Sequence, residues 1–238
     1  MPVALAGTRI ELRSPRRLEA RAGSELALEV DLELAEPWLE RPRLGREVRS
    51  VDGRGTSGLV FAFETDRAED VRALVSGMAH VRDTRIDVHT PEGFPEAGAG
   101  RGHEVEVGAP LGLHVSYGHL ERGSGRSGTV RAGDPIGKTG NTGRCVDGCG
   151  RRFVAIEVRG AKNARTLDDL CAPLELELLV DGRRTGSVPV PAGETKVEGL
   201  MAGRVRVARE TKACALELRL LRRRAAIATW KGEIKVHV

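Results

Sequence analysis

Aromatic side chains are scarce in this chain. One Tyr, four Phe and two Trp make up 3% of its 238 residues. Proteins that grip single-stranded nucleic acid stack its bases on such rings. Their scarcity argues against a nucleic-acid partner, although the formal charge is +4. Leu, Val, Ile and Ala must therefore fill the interior. Long apolar runs are missing too: none reaches the 18 or more residues of a membrane span. The segment Met1 to Gly7 is too short for the apolar core of a secretory leader, and no basic residues precede it. Cysteine is limited to Cys145, Cys149, Cys171 and Cys214. Four cysteines permit two disulfides in three pairings, and Cys145 and Cys149 flank only Val146-Asp-Gly148. A zinc site is a competing reading, but Cys171 and Cys214 lack the close spacing of a second ligand pair. Four free thiols are a third. The positive balance favours anionic partners such as wall polymers or acidic lipid. A basic surface with no specific partner is the simpler account.

Period-two alternation is abundant and marks half-buried strands. It runs through Thr8–Arg13, Glu25–Leu34, His103–Val107, Leu174–Val180, Gly203–Val207 and Glu233–Val238. Turn signals separate these segments at Asp181-Gly182, at Pro191-Ala-Gly193 and across Arg122–Gly128. Leu216–Arg224 alternates only at its start and reads as a strand ending in an exposed turn. Helix is sparse: Glu69–Leu74 reads as a single turn, and Ala161–Leu170 has room for another. The class is mainly β. Composition shifts near Pro37–Pro42 and Cys171–Pro173 cut the chain into three pieces, and neither outer piece has enough strands to close a sandwich alone. Leu178–Val190 and Gly199–Val207 resemble the later strands of bacterial Ig-like modules. That resemblance implies a split Ig-like β-sandwich from residues 1–38 plus 172–238, with residues 39–171 inserted. The rival arrangement is three consecutive modules, with 1–38 added to the middle one as a strand pair.

The middle piece carries the chemistry. Gly112-Leu-His-Val-Ser-Tyr-Gly-His-Leu120 is followed by Val130-Arg-Ala-Gly-Asp-Pro-Ile-Gly-Lys-Thr-Gly-Asn-Thr-Gly143, then by Phe153-Val-Ala-Ile-Glu-Val-Arg159 and Leu167-Asp-Asp-Leu170. Together with Asp70–Val81, which is similar to an early strand pair, these resemble in order and spacing the motifs of LytM/lysostaphin-type zinc peptidases, which cut peptide cross-bridges of bacterial cell wall. The resemblance implies a compact antiparallel β domain. In that family zinc is held by an early His and Asp and by the second His of a late His-x-His, with a position left open for water. Here Thr56 and Val60 stand at the early positions, and Phe153 and Ala155 at the late ones. None of these side chains offers the imidazole or carboxylate that the family uses. Only His119, at the place of a residue that assists the reaction, persists. One imidazole does not retain zinc, because affinity comes from several converging deprotonated ligands. The glycines at 133, 137, 140 and 143 suit tight turns and close strand approach. Ala132–Thr139 also fits a permissive phosphate-loop pattern. The mechanism of that loop requires a helix right after the Lys, and Gly140-Asn-Thr-Gly143 opposes one.

The expectation is therefore a pseudoenzyme of the bacterial cell envelope: a binding or scaffolding protein that engages peptidoglycan or an envelope protein, with no cofactor. Tyr117, His119, Arg144, Arg151, Arg152, Phe153 and Ala155 are expected to line a vestigial groove, and the loop 90–102 is long enough to cover it. The three arginines offer themselves to wall-peptide carboxylates, or else form a solvated basic rim. An extracytoplasmic location follows from the resemblance and the cysteine count. The alternatives are an active zinc endopeptidase whose metal has moved to His119 with Cys145 and Cys149, and a purely structural part of a surface assembly.

Overall fold

In the computed structural model of the chain, the described residues are 3–5, 8–10, 19–34, 37–48, 58–82, 101–143, 151–161, 164, 166–208 and 213–237. Among them the structure is almost entirely β. The first strands are β1 (Val3–Leu5), β2 (Thr8–Ile10), β3 (Glu19–Arg21) and β4 (Glu25–Glu33). Then come β5 (Arg46–Val48), β6 (Leu59–Thr65), β7 (Asp70–Arg72), β8 (Gly77–Arg82), β9 (His103–Gly108), β10 (His114–Leu120), β11 (Gly128–Val130), β12 (Pro135–Lys138) and β13 (Arg152–Arg159). The helix α1 (Leu167–Leu170) follows, and then β14 (Leu174–Val180), β15 (Arg183–Pro189), β16 (Lys196–Arg206), β17 (Ala213–Arg222) and β18 (Ala225–His237). Two compact units result: residues 1–38 with 172–238, and residues 39–171.

In the first unit, alternation places one face of each strand in a core. Leu174, Leu176 and Leu178 of β14, Leu216, Leu218 and Leu220 of β17, and Leu28, Val30 and Leu32 of β4 are all buried together. The sheets run β15-β14-β17-β18-β3 and β16-β4. Their pairings are antiparallel, except for the parallel β18–β3 contact. Two hairpins in the larger sheet close through two-residue turns whose central residues both have positive φ. These are Asp181 and Gly182 (49° and 75°) and Arg223 and Arg224 (52° and 66°).

The second unit is built on a seven-stranded antiparallel sheet of order β11-β8-β9-β10-β13-β6-β5. One face supplies the core: Phe61 and Phe63, Val105 and Val107, Val115 and Tyr117, and Val154, Ile156 and Val158. The two-stranded β12-β7 sheet adds Ile136 and Val71 to the same core. Glu69–Leu74, expected as a helical turn, instead contains β7. Val71 is apolar and inward, and the segment takes its hydrogen bonds from β12 and from Asp134 rather than from itself. The short helix does form within Ala161–Leu170. Thr166 caps it, with reciprocal bonds to Asp169. Strand β13 is buried on both faces over Phe153–Val158, so the face of the sheet turned away from the core is also covered there.

Candidate functional site

The described part of the glycine-rich segment between β11 and β13 is a turn, the strand β12 and two isolated β-bridges. Arg131–Asp134 forms a turn. The Asp134 N–H donates to the Arg131 carbonyl at 3.0 Å, and the Asp134 carboxylate accepts from the Arg131 N–H at 2.9 Å. Gly133 supplies the positive φ of 91°. After β12, Thr139 bridges to Leu120 and Gly140 to Phe153. Gly140 lies so close to the Leu120–Glu121 backbone that any Cβ there would collide with it. The backbone donors that a phosphate loop would aim at its ligand are already engaged. Lys138 N–H donates to Ser124 Oγ (3.0 Å), and Thr139 N–H to the Glu69 carbonyl (2.9 Å). Thr139–Gly143, which directly follow Lys138, are not helical, so the helix that a phosphate loop requires does not start there.

The face of the seven-stranded sheet opposite the core carries Val60, Phe153 and Ala155. Registers place His80 opposite Glu106, Glu106 opposite Ser116, Ser116 opposite Glu157, and Glu157 opposite Val60. One cross-strand row thus runs from β8 to β6. The adjoining row holds Gly118, Ala155 and Ala62. Ion pairs stitch this face together. Arg159 reaches Glu106 at 2.7 Å, Arg82 reaches it at 3.0 Å, and His114 Nδ1 lies 3.3 Å from it. Arg101 pairs with Glu157, and both are buried. Burial pushes the Glu104 carboxyl above the ordinary glutamate value, against the pull of Arg101 and Arg82. At Glu106 desolvation also pushes upward, but the neighbouring Arg82 and Arg159 guanidiniums and the His114 contact outweigh it and hold the carboxyl low.

The structure assembles some of the expected groove residues and removes others. His119 and Phe153 meet on this face, their rings 4.3 Å apart and tilted by 37°. Ala155 is buried in the adjoining row. The register between β9 and β10 slips between Tyr117 and Leu120, and His119 takes a φ of 64° there. Bulges of this kind re-aim side chains. The His119 Nδ1–H donates to the Thr142 carbonyl at 2.6 Å, which fixes the orientation of the ring. Tyr117 does not line the groove. It points to the opposite face, fully buried in the core, and its hydroxyl accepts the Leu74 N–H at 2.7 Å. Burial raises its phenol. Arg151 donates to Glu64 at 2.7 Å, and Arg46 reaches the same carboxylate at 2.6 Å. Those two hydrogen bonds hold Glu64 below its usual range. Arg152 donates to the Thr139 carbonyl at 3.1 Å and lies 3.7 Å from Glu121. Both arginines are thus paired within the chain. Cys171 and Cys214 are free thiols, so neither joins a disulfide. Burial raises both. Arg144, Cys145, Cys149, Thr56 and residues 90–100 of the expected covering loop lie outside the described residues.

Arg101, Glu104, Glu106 and Glu157 were not anticipated as site residues. Their signal was faint. Glu157 is the one charge inside the apolar run Phe153–Val158, and a lone charge in a strand buried on both faces needs an internal partner.

Among the described residues, positions 60, 153 and 155 do not offer a donor set for zinc. Val60 and Ala155 offer hydrocarbon, Phe153 covers the His119 ring, and among the described residues there a single imidazole is too few ligands. Among the described residues no three His, Cys, Asp or Glu side chains are grouped to hold a metal, and no helix is long and apolar enough to cross a membrane.

No protein-family model and no curated protein matches this chain. Among solved structures it is similar to the catalytic domain of the prophage-encoded M23 protein EnpA from Enterococcus faecalis, an alanine-to-histidine variant. Identity is 20%, the match covers 56% of this chain and 90% of that chain, and the TM-score is 0.34.

Proposed function

We propose that residues 39–171 form a peptidase-like domain of LytM/lysostaphin type that has lost its metal. The whole chain then serves as a catalytically inactive binding or scaffolding protein of the bacterial cell envelope, outside the cytoplasm. It engages cell-wall peptide or a wall hydrolase, and an Ig-like unit from residues 1–38 and 172–238 acts as spacer. One observation carries this reading. The family's motifs occur in order, yet hydrocarbon side chains stand at 60, 153 and 155, where the chemistry requires ligands. Such side chains cannot bind zinc or activate its water. The burial of Phe153 and Ala155 supports it, since a buried benzyl and methyl pack that part of the face with hydrocarbon.

Elemental analysis of the purified chain, paired with a muropeptide cleavage assay, tests the reading. Neither stoichiometric zinc nor product is expected, and both appearing together would reject it. Sedimentation with purified sacculi tests the partner. Retention above a control protein is expected for a wall-binding role. Its absence, together with no capture of a wall hydrolase, would leave only a structural role.

A further inference from the structure

The loop Glu121–Arg126 and the strands β7 and β12 line a recess of about 380 Å³. Small-molecule sites span roughly 300–1,000 Å³. Backbone hydrogen bonds fix its walls. The Glu121 N–H donates to the Lys138 carbonyl at 2.9 Å, and the Arg126 N–H to the Ile136 carbonyl at 3.0 Å. Ser124 Oγ donates to the Glu121 carbonyl at 2.7 Å and accepts the Lys138 N–H at 3.0 Å. The loop is thus fastened along β12, and the recess stands formed before any ligand arrives.

The charged side chains on its lining are Asp70, Glu121, Arg122, Arg126 and Lys138. Glu121 lies 3.7 Å from Arg152, which offsets its charge. Asp70 and Lys138 are Cα partners across the antiparallel β7–β12 pair. At such positions the Cβ atoms stand about 4.5–5.5 Å apart and point to the same side. Yet neither Asp70 nor Lys138 nor Arg126 forms an ion pair among the described residues, and all three are exposed. One unpaired anion and two unpaired cations therefore share one fixed recess. A plain anion would meet Asp70 as a like charge, and a plain cation would meet Arg126 and Lys138. A ligand that carries both signs is complementary to all three.

We propose that this recess binds a small zwitterion of the class of a free amino acid or a dipeptide. Arg126 and Lys138 take its carboxylate, the guanidinium as a fork and the ammonium as a point charge. Asp70 takes its ammonium group. The site shares no residue with positions 60, 153 and 155, and it stands whether or not the domain holds a metal.

The experiment titrates the full, isotope-labelled chain with the dipeptide Ala-Ala at low salt and follows backbone amide NMR shifts. Saturable shifts are expected at 70, 121–126 and 135–138. N-acetyl-Ala-Ala lacks the ammonium group, and Ala-Ala amide lacks the carboxylate. Each should bind at least about fivefold more weakly, the worth of one charge-assisted contact at an exposed site. Asp70→Asn should abolish the preference for the free amine. Arg126→Gln combined with Lys138→Gln should abolish the preference for the free carboxylate, and Lys138→Arg should keep it. These side chains are exposed, so the variants retain the fold. Shifts that do not saturate would overturn the proposal, and so would equal binding of the dipeptide and its two blocked forms. Inorganic phosphate binding as tightly as the dipeptide would also overturn it, because that marks a plain anion site. Zinc content and muropeptide cleavage do not enter these outcomes, so failure here and failure of the metal-free reading are distinguishable.

Discussion

Tyr117 shows how far one hydroxyl decides the placement of a side chain. Its oxygen satisfies the buried Leu74 N–H, and an unpaired buried donor costs about 1–3 kcal/mol. Tyr117→Phe should therefore lower stability by about that amount in denaturant titrations and leave retention on sacculi unchanged. A loss of retention at unchanged stability would return Tyr117 to the groove. The sequence places Tyr117 and His119 two apart, which on a regular strand means one shared face. The bulge between Tyr117 and Leu120 separates them, and alternation alone carries no sign of it. Arg101 was hidden for another reason: its partner lies 56 positions away in the numbering, and only tertiary pairing of β10 with β13 brings them together. Glu104 makes a pH prediction. Burial raises its native value above that of the unfolded chain, so the native state holds the proton longer. Stability contributed by this group is complete below the ordinary glutamate value and is lost as pH rises through the raised native value. Glu104→Gln should thus gain stability relative to the parent as pH climbs through that window. A difference that is flat or falls with pH would contradict the assignment.

Among the elements, the hairpin turns give the clearest contrast. Both two-residue turns in the β15-β14-β17-β18 part of the sheet need positive φ at two successive residues, the geometry that favours Asn-Gly or Asp-Gly. Asp181-Gly182 meets that demand, and the sequence announced it. Arg223-Arg224 does not, because each non-glycine residue in the left-handed region costs about 1–2 kcal/mol. Arg223→Asn combined with Arg224→Gly should raise stability by about 1–2 kcal/mol, moving the denaturant midpoint upward at unchanged slope. A lowered midpoint would mean that the arginine side chains contribute more than their backbone costs. Strands such as β14 were legible because one face is wet: Glu175 is exposed and Glu177 partly so, between buried leucines. Strand β13 has no such rhythm, since both of its faces are covered. Its position was readable only from the motif it resembles. Three residues of extended chain are too short for any period to register, so local pattern suggested a turn at β7, whereas the motif resemblance over Asp70–Val81 suggested the strand pair that β7 and β8 supply.

On the scale of the whole molecule, residues 39–171 behave as an insertion whose two ends meet. The Leu39 N–H donates to the Leu170 carbonyl at 2.8 Å, and Arg41 lies 3.3 Å from Asp168. Their core is drawn from within that range alone, and the core of the other unit is drawn from residues 28–34 and 174–234. A segment with its own core and adjoining ends can be excised or transplanted, because closing it costs little chain entropy. Two consequences follow from the same geometry. Residues 39–171 expressed alone should unfold in one cooperative transition. The remainder, with Trp38 joined to Ala172 through a short Gly-Ser linker, should do likewise. Differential scanning calorimetry on both pieces decides this. If the remainder melts without a heat-absorption peak, its β4 and β16 strands depend on the insertion to bring them into register. In that case the two sequence-distant halves were never an independent unit, and a spacer role for them would lose its physical basis.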